Sequence, residues 1–223
     1  MNPTTDHTAA HTHAGPREHA ALVNGEAVDR GRVDALLEVV PARDRETRPE
    51  SLARAERQRR RWATQVVVID ELARRACADR GLTPPAEVTP TRLLTVAETD
   101  VADLGSIVAA ALAHSPAARA LLARLEREQD VPGTAVRDYY ERNRDRFLTP
   151  DALRRGADPF GGASAEDLLP YEGVREDIAR ELRRAAGRRA FFDWLDQARA
   201  AVVYAHGHEH PGDPSHPDHE HRH

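Results

Sequence analysis

The chain has 223 residues, of which 40% are hydrophobic but only 4% aromatic, so its core must be thin and rich in small side chains. All 32 basic residues are arginine and are interleaved with 37 acidic residues, which gives a net charge of -5. This balance excludes the one-signed basic face that a nucleic-acid partner requires. The single cysteine, Cys77, excludes an intramolecular disulfide.

The first 19 residues are polar and predict a disordered, histidine-containing segment. They lack the apolar stretch of a signal peptide, and no run of the chain reaches the roughly 20 apolar residues that span a bilayer. We therefore expect a soluble, cytoplasmic protein without a membrane partner. Asn24-Gly25 then predicts a β-hairpin, because both central turn positions favour positive φ. Asp29 is expected to cap a helix that ends at Pro41.

Residues 47–81 predict one long helix around which the others pack. Thr47 and Glu50 have the spacing of a capping box, and Gly81 follows the last apolar position. The charged first half, with its run of arginines at residues 57–61, predicts a solvated face, and docking of an acidic partner is the alternative. The second half carries apolar residues at spacings of three and four and predicts an amphipathic helix that buries Cys77.

The rest of the chain predicts further helices and one closing strand. Helices are expected to open at Asp100, with its stripe continuing to Leu112, at Ser115-Pro116, after Pro132-Gly133 and near Tyr171. Gly187 within the last helix predicts a close helix crossing. Residues 148–169 predict a linker with little to bury, and residues 201–205 predict a short strand that pairs with the hairpin.

Four segments in this order are LVNGEAVDRGRVDALL, VVVIDELARRACADRGL, VRDYYERNRDRFLTPDALRRG and residues 170–204. Together they resemble the SurA/PrsA-type chaperones, the parvulin-associated peptidyl-prolyl isomerase family. For residues 20–205 the resemblance implies a mainly α, SurA-N-like helical chaperone domain. That domain has one long helix, a C-terminal return helix and a small β-hairpin and strand patch.

The resemblance also implies that the isomerase unit is missing. Where the family carries a parvulin domain of about a hundred residues, a folded unit in its own right, this chain has only the short linker 148–169. We therefore expect a non-catalytic module, without catalytic or cofactor-binding residues, that holds a protein or peptide client; an isomerase-related enzyme is an alternative. Pairing of two chains through the long helix remains open. The candidate partner-binding residues are Trp62, Val66, Tyr139, Tyr140, Phe191 and Trp194.

Eleven of the 12 histidines lie near the two ends of the chain. Residues 206–223 predict a disordered tail in which imidazoles alternate with acidic residues, Gly and Pro, a composition typical of metal binding. Neutral imidazole suits Ni, Zn and Cu, so a metallochaperone or metal-storage protein is the alternative function. The candidate ligands are His206, His208, His210, His216, His219, His221 and His223. The remaining histidine, His114, is interpreted as a charge at a helix C-terminus.

Overall fold

The computed structural model describes residues 19–40, 49–84, 98–162 and 164–209. Their strands are β1 (His19–Val23), β2 (Glu26–Asp29) and β3 (Val202–Tyr204). Their helices are α1 (Arg30–Val39), α2 (Pro49–Asp79), α3 (Glu98–Leu104), α4 (Ser106–His114), α5 (Pro116–Glu128), α6 (Gly133–Arg142), α7 (Pro150–Arg155) and α8 (Tyr171–Arg199), with short 3-10 turns at Arg144–Phe147 and Ala165–Asp167. The predicted mainly helical fold with a small antiparallel sheet is confirmed. The predictions for residues 1–18, Thr47 and residues 85–97 and 210–223 lie outside the described residues.

The hairpin and the closing strand form as their local sequence predicts. Asn24 and Gly25 both have positive φ, at 52° and 82°. The carboxylate of Asp29 accepts the backbone N–H of Gly31 at 2.8 Å and so caps α1. β3 pairs antiparallel with β1, which places the strands in the order β2-β1-β3 and brings the C-terminal end of the fold beside its N-terminal end.

The long helix α2 has two different halves. Its 31 residues span about 46 Å. Residues 52–58 are exposed, whereas residues 63–70 are all buried. The prediction of a single apolar stripe is therefore wrong for this segment, because neighbours cover every side of the helix. Those neighbours are α1, β1, α4, α5 and the second half of α8.

The run of arginines on α2 is only partly solvated. Arg57 is exposed, as predicted, but Arg59, Arg60 and Arg61 are half-buried. The guanidinium of Arg59 donates to the carbonyl oxygens of Leu37 and Val40 at the end of α1. These bonds satisfy carbonyl groups that a helix C-terminus leaves without partners, so Arg59 fixes the end of α1 on α2.

An ion-pair network fixes the start of α1 on α2. Arg32 donates to Asp70 at 2.8 Å and to Glu71 at 2.7 Å, and Arg75 donates to Glu71 at 2.8 Å. Burial raises the pKa of Glu71, but the hydrogen bonds from Arg32 and Arg75 outweigh it and hold that pKa below its usual value. Arg74 also donates to Asp70 at 2.8 Å. The carboxylate of Glu71 is therefore ionised, and α1 is held at both ends by contacts of arginine side chains between α1 and α2.

One predicted helix is broken in two. The apolar stripe that was expected to run from Asp100 to Leu112 is interrupted at Gly105, where φ is 76°. A residue with this φ cannot continue a right-handed helix, and glycine adopts it without the steric cost that a Cβ would bring. The chain therefore changes direction between α3 and α4.

Residues 148–162 and 164–169 form a small folded lobe, which corrects the prediction of a linker with little to bury at residues 148–169. Thr149 caps α7, and Leu148 forms an antiparallel bridge with Leu168. These two leucines and Ala152 are buried together. A neighbouring cluster of Val136, Phe147 and Ile178 joins α6 to the first half of α8.

Membrane-spanning character is weak in the part of the chain that the structure describes. No single helix there is both long and apolar enough to cross a membrane. Only α4 and α5 taken together meet that test, and they are bent by 106° relative to each other.

The predicted close crossing at Gly187 is confirmed. A Cβ at this position would lie 2.4 Å from Cγ and 2.7 Å from Cα of Glu126, so α5 and α8 touch through backbone atoms here. Gly187 is buried. A side chain at this position would have to separate the two helices, because backbone cannot move aside as a flexible side chain can.

We expect Gly187→Ala to lower the free energy of unfolding by about 1–3 kcal/mol, because the new methyl group overpacks the crossing. Gly173→Ala, in the first turn of the same helix, is the matched control, since a Cβ there meets nothing within 4 Å. The control should be neutral or stabilise by about 0.5–1 kcal/mol. Urea unfolding of both variants measures the difference, and equal stabilities would contradict a close crossing.

Candidate functional site

An open groove lies between α3, α4, α5 and α8, and we call it the cradle. Its volume is about 500 Å³. Its floor is apolar, and its rim carries two acidic and two basic residues. The lining residues are Asp100, Leu104, Ala109, Leu112, Ala113, Arg119, Leu122, Ala123, Glu126 and Arg188. The cradle therefore presents a hydrophobic surface with charges of both signs at its edge.

Two breaks in the helices create this groove. Gly105 turns α3 away from α4, and Ser115 sets the bend between α4 and α5 by accepting the backbone N–H of Ala118 at 2.9 Å. Three of the lining positions are alanines, whose small side chains leave space that larger residues would fill. The groove is thus a product of helix geometry and small side chains, and it does not need a moving loop to open.

The cradle continues along α8 as a polar extension. A second cavity of about 380 Å³ is lined by Asp103, Asp177, Arg180, Glu181, Arg184 and Arg188. Arg188 belongs to both cavities and lies 3.9 Å from Asp103 across the groove. An occupant can therefore place apolar groups on the floor and polar groups along the extension.

The predicted partner-binding residues do not line the cradle. Val66 and Phe191 are 0% and 1% exposed, so they are core residues and the prediction that they contact a partner is wrong. Trp62 and Trp194 are half-buried against the same core, where the ring of Trp194 lies 5.2 Å from that of Phe191. Their position on the long and return helices reflects packing of the core.

The two predicted tyrosines are likewise structural. Their rings pack on Phe147 with centroid distances of 6.4 Å for Tyr139 and 4.9 Å for Tyr140. The hydroxyl of Tyr139 donates to Glu181 at 2.9 Å, and that of Tyr140 donates to the carbonyl of Leu169 at 2.7 Å. They join α6, α8 and the small lobe. The sequence features that accompany the cradle are Gly105 and the lining alanines. The same features occur in ordinary helix packing, so they do not by themselves indicate a groove.

The predicted metal ligands are placed in part. His206 has a side chain that is 99% exposed, whereas His208 is only 4% exposed. Residues 205–209 lie on α2, and we call them the strap; the disordered tail was predicted to begin at His206. His210, His216, His219, His221 and His223 lie outside the described residues. Among the residues that the structure describes, no group of three or more His, Cys, Asp or Glu side chains is placed to hold a metal ion.

His208 fastens the strap to α2. Its Nδ1 lies 2.8 Å from Oγ1 of Thr64, in the buried segment of the helix. Burial lowers the pKa of His208, and the charges of Arg60 and Arg30 lower it further, against the opposite effect of Glu209 and Asp34. The imidazole is therefore neutral in the folded chain.

His114 and Cys77 also have structural surroundings. His114 is half-buried, and burial lowers its pKa more than nearby Asp70 raises it, which disfavours the charged form that a helix-dipole role needs. Cys77 is buried as predicted, and its Sγ donates to the carbonyl of Ala117 at 3.4 Å. Burial also raises the pKa of this thiol, so it lacks the thiolate character of a nucleophile.

The chain matches no protein-family model, no curated protein and no solved structure. The resemblance to SurA/PrsA-type chaperones therefore stays a prediction from sequence motifs.

We expect the chain to lose stability as the pH falls from about 8 to about 5. In the unfolded state the pKa of His208 is near the ordinary histidine value of about 6.5, whereas in the folded state the pKa is lower. The stability that neutral His208 contributes is therefore present above about pH 6.5 and is lost as the pH falls below it. His208→Asn keeps an amide donor for Thr64 and does not titrate, so it should reduce the loss.

Urea unfolding at both pH values measures this effect. His206→Asn is the matched control, because it makes the same substitution two residues away at a side chain that is 99% exposed. An identical pH dependence in the His208→Asn variant and the unsubstituted chain would contradict a buried, neutral His208.

Proposed function

We propose that this chain is a non-catalytic, SurA-like helical module that holds a segment of a polypeptide partner in the cradle. The observation that carries the proposal is the groove itself, which combines an apolar floor with a rim of both charges. Ligand sites of this kind are mostly apolar and have a few polar groups that fix orientation. The cradle also differs from a buried core cavity, because it opens to solvent along α8.

The chemistry of the cradle favours a peptide occupant. A polypeptide offers apolar side chains for Leu104, Leu112 and Leu122, and its polar groups suit the ionic extension along α8. An amphipathic segment docks in such grooves through apolar side chains on one face. The alanines of the floor leave the groove smooth, which suits a client of varied sequence better than a ligand with one fixed shape.

The order of elements also supports the proposal. A hairpin, an Asp-capped helix, a long helix, a tyrosine-pair helix, a return helix and a closing strand follow one another, as the resemblance implies. The small lobe at residues 148–169 occupies the position at which the SurA/PrsA-type family carries its isomerase domain. A lobe whose core is Leu148, Ala152 and Leu168 is far smaller than such a domain, so we propose no isomerase activity.

The test fills the cradle without disturbing the core. Ala123 is exposed and lines the groove, so Ala123→Trp should block it. Ala78→Trp is the matched control, because this alanine is also exposed on a helix but lies at the end of α2, away from the cradle. The probe is a reduced, carboxymethylated and permanently unfolded protein carrying a fluorescent label. Fluorescence anisotropy should show binding to the unsubstituted chain that Ala123→Trp weakens at least about tenfold, a change of about 1.4 kcal/mol.

Two results would contradict the proposal. One is a chain that neither binds the unfolded protein nor delays aggregation of a heated client at several-fold excess. The other is equal weakening by both tryptophan substitutions, which would show that binding does not use the cradle.

We also propose, as a second function, that the histidine-rich segment binds Ni²⁺, Zn²⁺ or Cu²⁺ for delivery or storage. The observation in its favour is the alternation of seven imidazoles with acidic residues from position 206 onward. The strap, residues 205–209, packs on α2 and belongs to the fold. A truncation that tests metal binding must therefore begin after residue 209.

Removal of residues 210–223 should weaken metal binding at least about tenfold while leaving the strap on α2. Calorimetric titration of each metal into the full chain and the shortened chain measures the loss, and circular dichroism checks that helicity is unchanged. Equal metal affinities in the two chains would contradict a role for the histidine-rich segment.

A further inference from the structure

A small cationic pocket lies beneath the strap, away from the cradle. It has a volume of about 190 Å³ and is enclosed by the strap, the first residue of α1 and the exposed half of α2. Its lining residues are Arg30, Glu56, Arg57, Arg60, His206, Gly207 and His208. The lining residues therefore include three guanidinium groups and one carboxylate, which gives the lining an excess of positive charge.

The carboxylates nearby do not saturate these guanidinium groups. Arg30 lies 3.6 Å from Asp34, and Arg60 lies 4.0 Å from Glu56, both longer than the 2.7–2.9 Å of a strong charge-assisted hydrogen bond. The side chain of Arg57 makes no hydrogen bond or ion pair with any residue that the structure describes. N–H donors consequently remain for an anionic ligand.

His208 adds an acceptor to this set of donors. The hydroxyl of Thr64 lies 2.9 Å from the carbonyl oxygen of Arg60 and 2.8 Å from Nδ1 of His208. Thr64 has one hydroxyl hydrogen, which it donates to the carbonyl oxygen of Arg60, because a carbonyl oxygen can only accept. In the contact with His208 the oxygen of Thr64 is therefore the acceptor, and the protonated Nδ1 of His208 is the donor. Since Nδ1 is engaged with Thr64, the unprotonated Nε2 is the ring nitrogen left for the pocket that His208 lines.

We propose that this pocket binds inorganic hydrogen phosphate. The guanidinium groups of Arg30, Arg57 and Arg60 donate to its unprotonated oxygens, and its P–OH group donates to Nε2 of His208. A water molecule takes up about 30 Å³ of liquid, so a cavity of about 190 Å³ holds one tetrahedral oxyanion with a few waters.

The unprotonated Nε2 of His208 makes the pocket distinguish hydrogen phosphate from anions of similar shape and charge. Sulfate has the shape and charge of hydrogen phosphate but carries no proton at neutral pH, so one of its oxygens would face the lone pair of Nε2. A phosphate monoester has its second pKa near about 6 and is also largely without a P–OH group at neutral pH. The pocket should therefore prefer free phosphate to both.

The test is a titration of the full chain with sodium phosphate, sodium sulfate and glycerol phosphate at about pH 7.5 and constant ionic strength. Calorimetry should show phosphate binding at least about tenfold more tightly than sulfate or the monoester, because only phosphate satisfies Nε2. Arg57→Ala should weaken phosphate binding about fivefold or more. Arg54→Ala removes the same charge from the exposed half of α2 without touching the pocket and should change binding less than twofold.

His208→Asn tests the acceptor separately. The asparagine amide retains a donor for Thr64 but has no atom at the position of Nε2, so the preference for phosphate over sulfate should fall to about twofold or less. Equal binding of phosphate and sulfate by the unsubstituted chain would overturn the proposal. Equal weakening by Arg57→Ala and Arg54→Ala would also overturn it, because attraction would then come from the general charge of α2.

Discussion

The fold depends on one constraint, which is the burial of eight consecutive residues of α2 on every side. Residues 63–70 include Thr64, Gln65 and Asp70, and each of these polar side chains needs a hydrogen-bond partner in the interior. Each makes one hydrogen bond to a different element, whereas Nε2 of Gln65 and Oδ1 of Asp70 have no partner among the described residues. Thr64 bonds His208 of the strap at 2.8 Å, Gln65 accepts from the hydroxyl of Tyr204 on β3 at 3.0 Å, and Asp70 accepts from Arg32 of α1 at 2.8 Å. The central helix thereby determines where both ends of the fold lie.

The two candidate sites lie where this central packing stops. The cradle occupies the space that α4 and α5 leave when they bend around α2, and α8 closes its far side through the contact at Gly187. The cationic pocket lies where α2 leaves the core and the strap crosses it. Helices form the cradle, whereas α1, α2 and the strap form the cationic pocket, and the two sites share no lining residue. The polypeptide and the hydrogen phosphate that we propose as ligands would therefore occupy separate surfaces.

The sequence predicts those features that depend on local chemistry. The Asn24-Gly25 turn, the caps at Asp29 and Ser115 and the crossing at Gly187 all follow from the geometry that one or two residues allow. The spacing of apolar residues does not predict that α2 is buried on every side. Gln65 and Asp70 are polar, so the pattern assigns them to a solvated face, and only their hydrogen-bond partners in the structure explain why they are buried. The pattern also misses the strap, since His208 resembles the neighbouring tail histidines and only its contact with Thr64 sets it apart. The cradle is a space between four helices, and the pattern of Gly105 and alanines that accompanies it fits ordinary helix packing equally well.

Hydrogen exchange of the full chain, read by mass spectrometry, tests the central claim most directly. The account predicts that amides of residues 63–70 exchange last and only through global unfolding, with a free energy equal to that from urea denaturation. Residues 52–58, on the exposed half of the same helix, should exchange through local opening at a much lower free energy. Equal protection of the two segments, or rapid exchange throughout residues 63–70, would contradict the view that this segment holds the fold together.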